Sequence, residues 1–352
     1  MIKRVIISLT IIMLIGFVFP QDITNTLGGN TSSEVFDVED SDNNTLLRVQ
    51  GDGGAVFLGT FGTGTIPATG AGTRMMWYPK KAAFRAGYVH SDEWNDVNIG
   101  EYSVAIGFET KASGIESCVA LGQQAVATQQ SSVAIGRGAN SAAANASAIG
   151  FSTLANGQNS TAIGNDVTSN GNGSMAMGYQ SESNGSSSIS IGTHTSSDAY
   201  RSMAVGSWNI GGGNPTSWVD SDPLFEIGNG HISTSKGNAM TVLKNGNVGI
   251  GTSTPGGTLD VNGTIYQRGS SLHADYVFED DYELESIQKH SEYMWTNKHL
   301  PAIPKAKVDD NGNEIVEVGS HRKGIVEELE KAHIYISQLE ERITKLEDLL
   351  TD

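Results

Sequence analysis

The residues that could do chemistry are few, and their spacing is wrong for most of it. Ser270-Ser271-Leu272-His273-Ala274-Asp275 offers hydroxyls, but no lysine follows before Lys289. A serine becomes a nucleophile only beside a base that takes its proton, and none is placed here. Asp37, Glu39, Asp40 and Asp42 bunch carboxylates suited to Ca²⁺. The central glycine and terminal glutamate of a calcium loop are missing, however. The eight histidines are scattered without a metal-spaced pair, which predicts solvated or locally hydrogen-bonded rings. No glycine run precedes Lys-Ser or Lys-Thr, as a phosphate loop requires. Cys118 is the only cysteine, so no intrachain disulfide can form. The sequence therefore predicts no enzyme, no cofactor and no metal.

The element that organises the chain is a repeat over residues 97–208. A tetrad such as Ser-Val-Ala-Ile precedes each of Gly107, Gly122, Gly136, Gly150, Gly164, Gly178, Gly192 and Gly206. These glycines are 14 residues apart, after a first interval of 15. A short fixed period marks a stacked array. Within each tetrad large and small residues alternate, as Val104 and Ile106 do against Ser103 and Ala105, which is the period of a strand. Ala or Ser recurs five residues after each glycine, at Ala112, Ala127, Ser141, Ala155, Ser169, Ser183 and Ser197. Asn156-Gly157, Asn170-Gly171 and Asn184-Gly185 then supply residues that tolerate positive φ at a corner. Each repeat thus reads as strand, corner, short strand, corner. Eight such coils, stacked at about 4.8 Å, make a rod roughly 40 Å long.

The column Ala105, Ala120, Ala134, Ala148, Ala162, Ala176, Ser190 and Ala204 is small enough for another backbone to approach closely. It is expected to be the contact between copies of the chain. A monomeric solenoid with a thin core of small residues is the alternative. Cys118 occupies a place held by Ser or Ala in other repeats, and burial is expected for it.

Ser-Val-Ala-Ile-Gly at this period resembles the YadA-like head of trimeric autotransporter adhesins. The resemblance covers about a third of the chain. It implies a left-handed parallel β-roll built by three chains, a cell-surface location and an adhesive or scaffolding role. After the final helix the chain ends Leu349-Leu350-Thr351-Asp352. There the sequence departs from autotransporters, which carry a β-barrel anchor beyond the coil.

The flanks divide further. Residues 1–20 read as a signal peptide: Lys3 and Arg4, then an apolar run too short for a membrane span. The cleavage motif before Gln21 is poor, which keeps an uncleaved anchor as an alternative. Residues 21–96 form a β-rich lead-in with a hairpin across Leu46–Leu58. They also hold Arg74-Met75-Met76-Trp77-Tyr78-Pro79, expected as a plug over the open end of the roll, with a binding surface as the alternative. Residues 209–265 form a β-rich stalk, with a second hairpin around Asn245-Gly246. Residues 266–320 form a small α+β module, with a helix near 283–297 and a hairpin around Asn311-Gly312. The stalk pair Asn247–Thr252 and Leu259–Ile265 resembles tail-fibre-like secreted proteins of the Bacteroidetes group, as do Ala274–Phe278 and Asn297–Pro304. That resemblance implies an extended secreted fibre.

Residues 321–352 read as a parallel coiled coil. Its seam is Ile325, Leu329, Ala332, Ile336, Leu339, Ile343, Leu346 and Leu350, spaced by four and three. Isoleucine at a with leucine at d leans toward dimers, whereas the roll resemblance implies trimers and carries more weight.

Net charge is −17, which disfavours nucleic acid and anionic membranes as partners. The expected fold is mainly β: a β-roll, flanking hairpins, a small α+β region and the coil. The expected protein is a non-enzymatic homotrimeric fibre of adhesin type, exported to the cell surface or medium. Its ligand would be a surface glycan or a matrix protein, and membrane attachment would come only through an anchor or an uncleaved signal. Two alternatives accompany this reading. One is a receptor-binding tail fibre of a phage or contractile injection particle. The other is a self-cleaving chaperone of the endosialidase type, whose Ser-Asp and Leu-Lys motif the 270–275 stretch does not match.

Overall fold

The computed structural model describes residues 31–33, 35–266, 268 and 273–351. The signal segment at 1–20 and the serines Ser270 and Ser271 lie outside the described residues. Two compact units divide between Asn262 and Gly263.

The first unit is a β-solenoid between end structures. Eight long strands, from Val104–Phe108 to Met203–Ser207, stack in parallel within a sheet of 14 strands. Seven two-residue strands, from Lys111–Ala112 to Ser196–Ser197, stack as a second parallel sheet. Equivalent residues of successive coils pair in register, for example Ala148 with Ala134 and Ala162. The two strands and two corners expected of each repeat are present.

Each coil is thin, and its core is made of methyls and hydroxyls. Ala105, Ala120, Ala134, Ala148, Ala162 and Ala176 are completely buried. Ala112, Ala127, Ser141 and Ala155 of the short strands are completely buried too. Serines at the start of several tetrads close the corners: Ser174 Oγ donates to Gly171 O at 2.6 Å, and Ser188 Oγ to Gly185 O at 2.6 Å. Cys118 is buried in the equivalent place, as expected, its Sγ 2.9 Å from Gln129 O.

The marker glycines are needed twice over. Gly164 has φ +135°, and a Cβ there would overlap the carbonyl of Gly178 in the next coil. The Asn-Gly corners differ from expectation. Gly171 lies outside the left-handed region; it is glycine because the carbonyl of Gly185 approaches where a Cβ would be. The left-handed φ falls two residues later, on Asn159 (+57°), Gly173 (+66°) and Ser187 (+57°).

Both ends of the core column are closed by charge. Strand Ala83–Val89 lies in parallel on the first coil, with Arg85 in register with Ala105. The Arg85 guanidinium is fully buried and donates to the carbonyls of Ser103 (2.9 Å) and Ala112 (3.0 Å). Burial pulls its pKa down to about 10. At the other end, strand Pro223–Asn229 puts Glu226 in register with Ala204. Asn209 and Asn238 donate to its carboxylate at 2.5 and 2.6 Å, yet burial dominates and raises its pKa. Strand Gly72–Tyr78, which holds most of the 74–79 patch, pairs antiparallel outside Ala83–Val89. Together they cover the open end of the roll. Strands Asn238–Leu243, Val248–Ile250 and Leu259–Val261 continue the sheet beyond Glu226. The 46–58 hairpin is present, and strand Val35–Glu39 joins it in a separate sheet.

The second unit holds helices α1 (Ile287–Asn297) and α2 (Val318–Thr351) and a small hairpin, Lys307–Val308 with Glu314–Ile315. Ser286 caps α1, and Lys298 ends it in the left-handed conformation, before Pro301. No helix among the described residues is long and apolar enough to cross a membrane.

Candidate interaction surface

Alternation along the long strands gives the roll one inner and one outer column pair. The alanine column was expected to face other chains. It cannot, because Ala105, Ala120, Ala134, Ala148, Ala162 and Ala176 are 0% exposed and Ala204 is 1% exposed within a single chain. The reason is width. The short strand lies so close that only methyls and hydroxyls fit between the sheets, so the large side chains of each tetrad must point outward. Val104, Val119 and Val133 form one outer column, and Ile106, Leu121, Ile135, Ile149 and Ile163 the other. Their side chains stay partly accessible; Ile106 and Ile191 reach 41% and 37%. The signal for this was present in the sequence: two columns of small residues, one per strand, can only face each other.

The second unit shows the same inversion. In α2 the seam is exposed throughout: Ile325, Leu329, Ala332, Ile336, Leu339, Ile343, Leu346 and Leu350 all face solvent. The side chains α2 buries are instead polar. Glu328, Lys331 and Tyr335 are buried, and Gly324 lets the Ala302 carbonyl approach the helix. Glu328 Oε1 accepts from Ala302 N at 2.7 Å, and Glu328 Oε2 lies 3.3 Å from His290 Nε2. Lys331 Nζ lies 2.8 Å from Glu327. Burial works against ionised Glu327, but bonds from Lys331 and Tyr276 hold its pKa below the usual value. Burial and the Glu327 carboxylate push the Tyr276 phenol up to about 12. A cleft of about 360 Å³ beside these groups is lined by Tyr282, Glu285, Lys289 and Lys331 among others. Glu327 and Lys331 on its wall are paired with each other.

The other candidate residues have local partners. Asp37 forms a two-point ion pair with Arg48 at 2.8 and 2.7 Å. Asp40 accepts from Asn44 and from Asp42 N, and the Asn44 bonds lower its pKa. Among the described residues no group of His, Cys, Asp and Glu is placed to hold a metal. His194 stacks on Trp208, and His90 sits between Tyr88 and Glu109.

Sequence reasoning missed the two end strands as parts of the roll, although they carry degenerate tetrads. Phe84-Arg85-Ala86-Gly87 and Phe225-Glu226-Ile227-Gly228 repeat the phrase with a charge in the alanine place. Gly87 even has the marker φ, at +134°.

A search of the curated proteins found no match. The family model of the YadA head domain repeat matches residues 99–117, 119–139, 142–166 and 169–195, so the coils between the two charged ends are similar to YadA head repeats.

Proposed function

We propose that the chain is the subunit of an exported, non-enzymatic fibre of adhesin type. It assembles as a homotrimer that presents the roll as a head, on a stalk and a coiled coil. One observation carries this reading. Along the long strands of the roll and along α2 the large apolar residues are outside and the small or polar ones inside, as in a protomer whose remaining core lies between copies. In the roll the contact is the outer column pair, made mostly of Val, Ile and Met with Ser147 and Thr161 in one column; in α2 it is the seam. The YadA head repeat match supports three chains around the roll. The register of the coil follows from Arg342 and Glu347, which at g and e positions pair between chains.

Sedimentation of the purified protein tests the assembly: the expected mass is three times that of the mature chain. A particle of two chains would mean that the coil, not the roll, dictates the number. A monomer would sink the reading. An exposed fibre of this kind acts by contact, so its ligand is a surface glycan or a matrix protein. A glycan array and a matrix-protein panel, probed with the whole trimer, test that part. The cell surface or medium is the expected location, and fractionation with mass spectrometry of the mature chain checks export.

A further inference from the structure

The outer apolar columns do not stop where the repeats stop. Read across the sheet in register, one column runs Trp77, Phe84, Val104 and Val119, and at the far end Met203, Phe225, Val242, Val248 and Leu259. The other runs Met75, Ala86, Ile106 and Leu121, and at the far end Val205, Ile227, Met240, Ile250 and Val261. From Gly72–Tyr78 to Asn238–Leu243 the side chains between these columns point inward, through Met76, Arg85, the alanines, Glu226 and Thr241. The end strands have no tetrad of the usual kind, yet they keep its inside and outside. Several outer residues there are well exposed: Met75 69%, Trp77 36%, Ile250 39% and Leu259 67%.

We infer that strands Gly72–Tyr78, Ala83–Val89, Pro223–Asn229, Asn238–Leu243, Val248–Ile250 and Leu259–Val261 are part of the chain-to-chain contact, which runs the whole length of the 14-strand sheet. The inference rests on the trimer reading above and extends it beyond the residues that match the head repeat. The occupant of this face is a second copy of the chain, for two reasons. First, in a parallel assembly about a rotation axis each layer meets its own equivalent, so the column from Met75 to Val261, apolar in every layer, is complementary to itself; the other column is interrupted at Ser147 and Thr161. A different partner would need a matching column of the same pitch and length. Second, the end strands enlarge the contact. Two outward side chains per strand cover a band roughly 12 Å wide, so eight strands at about 4.8 Å give roughly 460 Å² per chain. Fourteen strands give roughly 800 Å² per chain. A trimer divides that face between two neighbours, so the repeats alone leave each contact well below the size of a stable interface and the end strands nearly double it.

The test is proximity cross-linking of the full chain with Cys118→Ser as background, serine being the usual residue at that place in the repeats. Single cysteines go in by Met75→Cys, Ile149→Cys and Ile250→Cys on the outer columns. Thr168→Cys, on the short-strand sheet, is the control. A short bismaleimide should give covalent dimers at Met75→Cys, Ile149→Cys and Ile250→Cys and none at Thr168→Cys. Linking at Ile149→Cys with none at Met75→Cys or Ile250→Cys overturns the extension and leaves the trimer reading standing. No linking at Ile149→Cys overturns the trimer reading itself. Trp77→Cys and Leu259→Cys read the same two ends, should Met75→Cys or Ile250→Cys fail to fold.

Discussion

Replacing Ala148 with leucine tests which face of the roll is inside. Ala148 is 0% exposed and lies in register between Ala134 and Ala162. Leucine adds three carbons where the opposing short strand leaves room for a methyl. Overpacking of this kind costs about 1–3 kcal/mol. For a domain of this size that lowers the melting temperature by roughly 2–4 °C per kcal/mol. The loss is intrinsic to each chain, so it should not depend on protein concentration. Ile163→Asp, one strand on and pointing outward, is the counterpart. It forfeits about 1.5–3 kcal/mol of apolar burial per chain if Ile163 is covered by a neighbour, and it places like charges around the axis. Its signature should be dissociation, with the coil still folded. Circular dichroism melts at two concentrations, alongside sedimentation, separate the two effects. Should Ala148→Leu leave the melting temperature alone and split the oligomer, the alanine column faces a partner and the inside-out assignment is wrong.

Gly164→Ala combines a φ of +135° with a methyl driven into the Gly178 carbonyl. A loss of at least about 1–3 kcal/mol from the backbone strain alone is expected in chemical denaturation. Asp222→Ala strands Lys244, whose side chain is 0% exposed and whose Nζ lies 3.7 Å from the carboxylate. The expected cost is about 3 kcal/mol; Lys244→Met should recover much of it, read by hydrogen exchange over 222–244. Glu226 has a folded-state pKa raised above its ordinary 4.5, chiefly by burial. Its contribution is full below about pH 4.5 and is lost as pH rises through the folded value. Wild type should therefore gain on Glu226→Gln between pH 7 and pH 5, and denaturation at both pH values measures the difference.

The period, the two strands per coil, the three hairpins and the long helix were legible because each depends on local pattern. Marker glycines and alternation are written every 14 residues, and Asn245-Gly246 and Asn311-Gly312 announce their turns. What alternation does not say is which set of alternate residues points inward. Large residues usually do, and only the closeness of the two-residue strands reverses the rule here. The strand Val35–Glu39 was hidden because its carboxylates look like a ligand set until Arg48 is placed opposite Asp37. Left-handed corners fell on Asn145, Ser152 and Gln180. Their side chains do not require that conformation; the neighbouring coils impose it. The seam of α2 was visible, but its buried side was not, since Glu328 and Lys331 look like solvated charges in sequence.

The two buried charges at the ends of the roll make its length a free variable. The middle coils bond to the coils above and below, the loop after the roll reaches only the last ones through Ser186, Asp198 and Tyr200, and neither Arg85 nor Glu226 touches a middle coil. Whole 14-residue units can then be added or removed between them without altering either terminus. The extra residue in the interval from Gly107 to Gly122 shows how forgiving the corners are. It falls at Gly114–Ser117, where Ile115 is pushed out to 78% exposure, while Ala105 and Ala120 remain paired. Selection can thus set the reach of such a fibre in steps of about 4.8 Å, by recombination among near-identical units, while the ends that stop it polymerising stay the same.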